Sequence, residues 1–413
     1  MVFARVHAGT ESHDSEFVMS IEESMSAYRD DPLTSRARKV MTSGNTRATL
    51  HIPPAPPYAV SGKGCLVTDN LSHTVIDANN NLTSTIHGHA FEPINEVVRN
   101  QLEHGVAFGL PTESAIALAE VMAHRTGIPM WRFSNSGTEA LMTAIRGARA
   151  FTKRDVIVRF TGSYHGAHEV FIDPSAIGIP AATAEVVVSV AQGSFEEFDH
   201  VMSTMGNKVA AVVIDLMPNR AGLIPADQEF VEHVRKVTKA NGCLLIIDEV
   251  ITFRIHVGGM HKVYGIEPDL VTVGKIMGGG FPVGGLGGSA EIMQVFDPEQ
   301  SKYVALGGTF SANPVTMIAG KVAMDHFEND EVNRLNSLGD NLREQLTASG
   351  VKVNGFGSLA RLHGDFDMTK LWWLLYEKGV LVAPTGLIAL STPMTQTHVD
   401  QIAKVIASSF SEM

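Results

Sequence analysis

The sequence predicts an α/β fold built on a large, mostly parallel sheet. Three observations carry that expectation. Runs such as Val209–Leu216 and Cys243–Val250 are largely apolar throughout instead of alternating, as strands covered on both faces are. Amphipathic helical stretches intervene, notably Gln228–Ala240. The two kinds of segment alternate in βα order, which brings a ligand to the carboxyl ends of the strands.

The elements follow in order. Residues up to about 40 are polar and mixed, with helical character around Glu16–Arg38. The run His51-Ile-Pro-Pro-Ala-Pro-Pro-Tyr58 breaks any helix and reads as an extended connector. Short β-like runs occupy Gly64–Thr68 and His73–Asp77. Helical patterns cover Glu92–Glu103 and Thr112–Arg125, and further strands are expected at Val156–Phe160, Glu185–Val190 and Leu270–Val273. A long helix follows Ala319, with short strands near Val351–Val353 and Ala360–His363 and helices at Met368–Lys378 and Gln396–Phe410. At 413 residues the chain exceeds what one core usually organises. The expected division is an N-terminal segment with part of a small domain (1–90), a large α/β domain (91–320) and a C-terminal small α+β domain (321–413).

Composition narrows the function classes. A net charge of −12 opposes a nucleic-acid or anionic-membrane partner, since phosphate backbones need a basic face. No run approaches the length of a membrane span, and the first residues lack the apolar core of a secretory signal. Cys65 and Cys243 stand in unrelated contexts and form neither a metal spacing nor a disulfide framework. A cytoplasmic enzyme or binding protein is expected.

Five strings carry chemistry. Leu244-Leu-Ile-Ile-Asp248-Glu-Val250 is an apolar strand ending in two acids, so Asp248 falls where an open α/β sheet holds its ligand. Alone, it reads equally well as the cap of the following turn. Asp269-Leu-Val-Thr-Val-Gly274 runs into Lys275 and a glycine triplet, Gly278–Gly280. Burial lowers a lysine pKa and favours imine formation with an aldehyde, although a lone lysine is more often a surface one. Phe133-Ser-Asn-Ser136-Gly137-Thr138 opens a helix, offering free N–H groups and a positive dipole end to an anion, or simply a cap. Gly162-Ser-Tyr164-His165-Gly166 follows a strand with an aromatic able to stack on a planar ring or pack in the core. Gly307-Gly-Thr309-Phe-Ser-Ala-Asn-Pro314 is a small-residue turn and a further candidate phosphate donor. Together and in this order they match one chemistry, that of pyridoxal 5′-phosphate (PLP): phosphate cup, stacking aromatic, acid for a pyridine nitrogen, then lysine.

The strings NSGTEA (135–140), SYHG (163–166), DEVITFR (248–254), GKIMGGGFPVG (274–284) and GGTF…NP (307–314) resemble the class III aminotransferases of PLP fold type I. The branch they look like is that of glutamate-1-semialdehyde aminomutase and the β-amino-acid aminotransferases. The resemblance implies a large PLP-binding α/β domain and a smaller α+β domain built from both termini. It implies Lys275 as the Schiff-base lysine and Asp248 as the partner of the pyridine nitrogen. Val250 and Tyr164 would lie on opposite faces of the ring, with His165 alongside in the cofactor site. Ser136, Gly137 and Thr138 would bind phosphate, and Thr309 would reach the phosphate of a neighbouring subunit in a homodimer with shared sites.

Departures from the family pattern bear on the reaction. The stretch Gly166–Pro180 is short and lacks the glycine-serine lid that retains the aminomutase intermediate, which favours ping-pong transamination between small-molecule amines and carbonyl compounds. Aminomutase and non-catalytic PLP-fold binding protein are the rival readings. Arg47, in Ser43-Gly-Asn-Thr-Arg47, is the first candidate for a substrate carboxylate, which suits bidentate guanidinium. Arg220, in Asp215-Leu-Met-Pro-Asn-Arg220, falls where the family has a small or amide residue; it points at the cofactor, binds a carboxylate or folds into a salt bridge. His87-Gly-His89 is poor zinc spacing, and no metal is expected.

Overall fold

In a computed structural model of the chain, residues 20–173 and 175–413 are described. Contacts divide it into two compact units, one ending at Pro57 and the other spanning Tyr58–Met413.

The first unit holds two helices, Ile21–Asp30 and Pro32–Val40, in the stretch expected to have helical character. Asp31 explains the break: its extended backbone ends the first helix while its side chain accepts from the Leu33 N–H at 2.6 Å, and Pro32 takes the first helical position. The expected helical stretch before Ser20 lies outside the described residues.

The second unit is organised by a seven-stranded sheet. Its spatial order is Met130–Ser134, Gly284–Gly288, Leu270–Gly274, Leu244–Asp248, Val209–Ile214, Val156–Phe160, Val187–Val190. Only Gly284–Gly288 runs against its neighbours. Strand periodicity sorts the side chains to two faces. Ala211, Val213, Leu244 and Ile246 pack with Leu141, Ile145 and Ala148 of the helix Gly137–Thr152. Val212, Ile214, Leu245 and Ile247 pack with Phe230, Val231 and Val234 of the helix Gln228–Asn241. The continuous apolar runs thus reflect a sheet buried on both sides.

Two smaller sheets join distant parts of the sequence. Ala59–Lys63, Leu66–Asp69 and Thr74–Asp77 form a meander, and Val380–Leu381 adds in parallel to its last strand. Val353–Asn354, Leu359–Leu362 and Leu387–Ala389 form the third sheet. The C-terminal helices are Pro314–Asp325, Asn329–Ala348, Met368–Glu377 and Gln396–Phe410. The expected strand at Glu185 begins at Val187, because Ala181–Glu185 is a 3-10 turn. Among the described residues no helix is long and apolar enough to cross a membrane.

Candidate active site

The strand Leu244–Asp248 ends on a buried acid. Asp248 Oδ1 accepts the Val250 N–H at 3.0 Å, and Oδ2 meets His165 Nδ1 at 2.7 Å. His165 is buried, and its other ring nitrogen, Nε2, has no hydrogen-bond partner among the described residues. The Nδ1–carboxylate contact puts the donated proton on Nδ1 and gives the acid a charge-assisted bond.

One strand over, Leu270–Gly274 delivers Lys275. The lysine has φ +47°, the left-handed region that a non-glycine residue enters at a cost of about 1–2 kcal/mol. The residue is half-buried, and burial pushes the amine down to about 8 while Asp248 and then Asp215 pull it back up. Gly274 packs beside Val250 and Gly137, so these segments meet: a Cβ on Gly274 would lie 3.5 Å from Val250 Cγ1 and 3.7 Å from Gly137 Cα.

The helix Gly137–Thr152 starts in this corner, with Ser136 as its N-cap; Ser136 Oγ accepts the Glu139 N–H at 3.2 Å. The N–H groups of Gly137 and Thr138 fall in the first turn, where no intrahelical acceptor exists. A Cβ on Gly137 would come within 2.9 Å of Val250 Cγ2, so glycine allows this close approach. Thr138 Oγ1 accepts the Ala167 N–H at 3.3 Å and ties the helix start to the Tyr164–Gly166 turn. A cavity of about 140 Å³ beside Ser134 and Glu139 is also lined by Gly307, Gly308 and Ser311, which brings the second small-residue turn close; Thr309 itself is exposed.

Tyr164 is 44% exposed, and the Arg220 guanidinium carbon stands 4.0 Å from its ring centroid. Such a cation–π contact is worth about 0.5–1 kcal/mol at an exposed position. Arg220 has no carboxylate within ion-pair distance among the described residues. Its loop is anchored, since Arg361 donates to Asn219 Oδ1 at 3.0 Å and Asn354 to the Gly222 carbonyl at 3.1 Å.

Arg47 lies in the first unit, where its backbone N–H donates to Asn45 Oδ1 at 3.1 Å. His87 engages the Ala323 carbonyl at 2.8 Å and Thr392 Oγ1 at 3.1 Å, whereas His89 Nε2 meets Asp77 Oδ2 at 2.7 Å.

Residues 53–410 match the model of the aminotransferase class-III family. The chain belongs to the class III aminotransferases. Its relatives within that family differ in reaction. It is 37% identical over 390 residues to a glutamate-1-semialdehyde 2,1-aminomutase from Methanothermobacter thermautotrophicus, covering 86% of this chain and 92% of that one. It superposes on an omega-transaminase from Sphaerobacter thermophilus with a TM-score of 0.90 at 38% identity, covering 93% of this chain and 99% of the other. A beta-phenylalanine aminotransferase from Variovorax paradoxus follows at a TM-score of 0.86 and 28% identity, over 95% and 98% of the two chains. The fold is PLP fold type I, and pyridoxal phosphate is the cofactor of this class III enzyme.

The residues suit that cofactor on their own chemistry. A desolvated amine, a buried carboxylate and an open helix N-terminus are what its aldehyde, its ring nitrogen and its phosphate require. One member of the corner had no role assigned from sequence. Asp215, just past the strand Val209–Ile214, is buried, accepts the Met217 N–H at 2.9 Å and is raised to about 7 by burial and then by Asp248. Its signal was available, because Val-Val-Ile-Asp215 repeats the pattern Leu-Ile-Ile-Asp248 of an apolar strand ending in an acid.

Proposed function

We propose that this enzyme is a ping-pong aminotransferase that moves an amino group from an amino acid or ω-amine to a keto acid, aldehyde or ketone. The observation that carries the reading is the connection after His165. It contains the short 3-10 turns Glu169–Phe171 and Ala181–Glu185, with Ile177 wholly exposed, and no glycine-serine lid. A site without that cover releases its first product and admits a second carbonyl compound. The superposition on an omega-transaminase at 38% identity supports the same reading.

When bound, pyridoxal phosphate withdraws the electron pair left on a substrate carbon that has lost its proton. The chain's own groups do the rest. Lys275 would hold the cofactor through Nζ, and the same Nζ would accept and return the substrate's proton; an amine at about 8 is part basic and part acidic near neutrality. Asp248 keeps the ring nitrogen protonated, with His165 fixing its orientation. Ser136, Gly137 and Thr138 take the phosphate, Thr309 takes that of a partner subunit, and Val250 and Tyr164 bracket the ring. The exposed apolar side chains Phe108, Leu110 and Phe310 suit a homodimer interface. Arg220, without an acidic partner among the described residues, offers its guanidinium to a substrate carboxylate, and Arg47 is the other candidate for that role.

The aminomutase reading rests on the 37% identity to the Methanothermobacter enzyme. The two separate in one experiment. Holoenzyme given a single amine donor and no acceptor should release one equivalent of carbonyl product and stop, resuming when a keto acid is added. Continuous isomerisation of glutamate-1-semialdehyde without any second carbonyl compound would establish the mutase. An intact Lys275 and Asp248 count against a purely binding role.

A further inference from the structure

Two acids end neighbouring strands of the main sheet. Ile214 pairs with Ile247 in parallel register, so the residues that follow, Asp215 and Asp248, come side by side at the strand ends. Alternation places both on the face that carries Val213 and Ile246, the side covered by the helix Gly137–Thr152. Each is only 4% exposed. Their surroundings differ. Asp248 has His165 on Oδ2 at 2.7 Å and the Val250 N–H on Oδ1. Asp215 accepts the Met217 N–H, while Gln192 donates to its backbone carbonyl at 3.2 Å and not to its carboxyl.

Two like charges at strand spacing in a dry corner repel strongly, and one of them gives up its charge. Five influences act on Asp215: burial and then Asp248 favour its neutral form, whereas the Met217 N–H, His165 and Lys275 favour ionisation. The acid in contact with the imidazole keeps the charge.

We propose that Asp215 is a positioning residue that stands as a neutral carboxyl beside Asp248 and so confines the negative charge to Asp248. The inference rests on the placement of the cofactor ring at Asp248, and not on whether the enzyme transfers or isomerises. It gives the site an alkaline switch. When Asp215 ionises, a second negative charge arrives beside the ring and perturbs the cofactor's visible band.

The test is a pH titration of holoenzyme followed by infrared and visible absorbance. Wild-type protein should show a protonated-carboxyl stretch that fades as pH rises through neutrality, with a matching step in the visible band. Asp215→Asn keeps the size and neutrality of the group, so it should remove both signals and move the remaining visible transition by less than about half a pH unit. Asp215→Glu should restore the stretch. A residue with a purely architectural role would leave the visible step unchanged. Persistence of stretch and step in Asp215→Asn would overturn the proposal. If that variant does not fold, wild-type protein without a carboxyl titrating near neutrality overturns it equally. Failure to form a visible band at all would count against the cofactor placement, and the infrared titration of cofactor-free protein would still decide the state of Asp215.

Discussion

His165 Nδ1 lies 2.7 Å from Asp248 Oδ2, with both side chains buried and Nε2 of the histidine left without a partner among the described residues. Asp248 is therefore itself held by a neighbour from another strand end. His165→Phe would leave a buried carboxylate oxygen without its donor. A hydrogen bond to a charged group contributes about 1.5–3 kcal/mol. Steady-state kinetics should accordingly show kcat/KM lowered about 10- to 100-fold with cofactor still bound. Unchanged kinetics would remove the histidine from the mechanism.

Lys275 has the lowered amine pKa of about 8 in the cofactor-free protein. The unprotonated amine is the nucleophile, so the rate of cofactor capture should rise with pH and level off above about 8. The linked effect on stability has a definite sign. Folding depresses this pKa from 10.5, so cofactor-free protein gains stability as pH rises from about 8 to 10.5 through this group and loses that gain on the way down. A capture rate independent of pH across this interval would contradict the assignment.

Asp215 titrates in the opposite sense. Its pKa is raised from 3.8 to about 7, so its contribution to stability is complete at acid pH and lost as pH rises toward neutrality and above. Asp215→Asn should therefore gain stability over wild type at mildly alkaline pH and show little difference in acid. Thermal melts of the two proteins at both pH values measure this directly.

Arg220 is held over Tyr164 by a 4.0 Å cation–π contact and carries no acidic partner among the described residues. Arg220→Gln should raise KM for carboxylate-bearing substrates about 10- to 100-fold, the effect of losing a charge-assisted hydrogen bond, and leave neutral amines within about twofold. Equal loss for both classes would show that the residue shapes the loop and does not read the substrate.

Gly284 should tolerate no side chain. A Cβ there would run into the Ser136 carbonyl, at the mouth of the helix that begins at Gly137. Gly284→Ala should cost about 1–3 kcal/mol in denaturant unfolding and weaken cofactor retention. Wild-type values for both would show that the helix start shifts freely.

Much of this architecture is legible in the sequence because the signals are local. The strand Val156–Phe160 and the helix Gln396–Phe410 have the expected bounds, since each is an uninterrupted pattern closed by turn or cap chemistry. The strand Gly284–Gly288 was not anticipated. Glycine has poor strand propensity, and Gly-Gly-Leu-Gly-Gly reads as a loop until Trp131 and Ser136 are seen pressed against it. Val380–Leu381 was missed for another reason: two residues carry no periodicity, and its partner Thr74–Asp77 is remote in sequence. In the site, the order of motifs named Lys275, Asp248 and the Ser136–Thr138 turn. Asp215 was written in the same pattern as Asp248, but its significance depends on strand register, which pairs the two acids only after folding. The stacking of Arg220 on Tyr164 joins loops from two strand ends and has no local signal.

The most direct test is the absorbance of purified protein during titration with α-, β- and ω-amines. A yellow band that one donor class bleaches and a keto acid restores is the predicted result, together with loss of donor-driven bleaching in Lys275→Ala. A protein that stays colourless and inert after added pyridoxal phosphate, or a Lys275→Ala variant with wild-type turnover, would contradict the account.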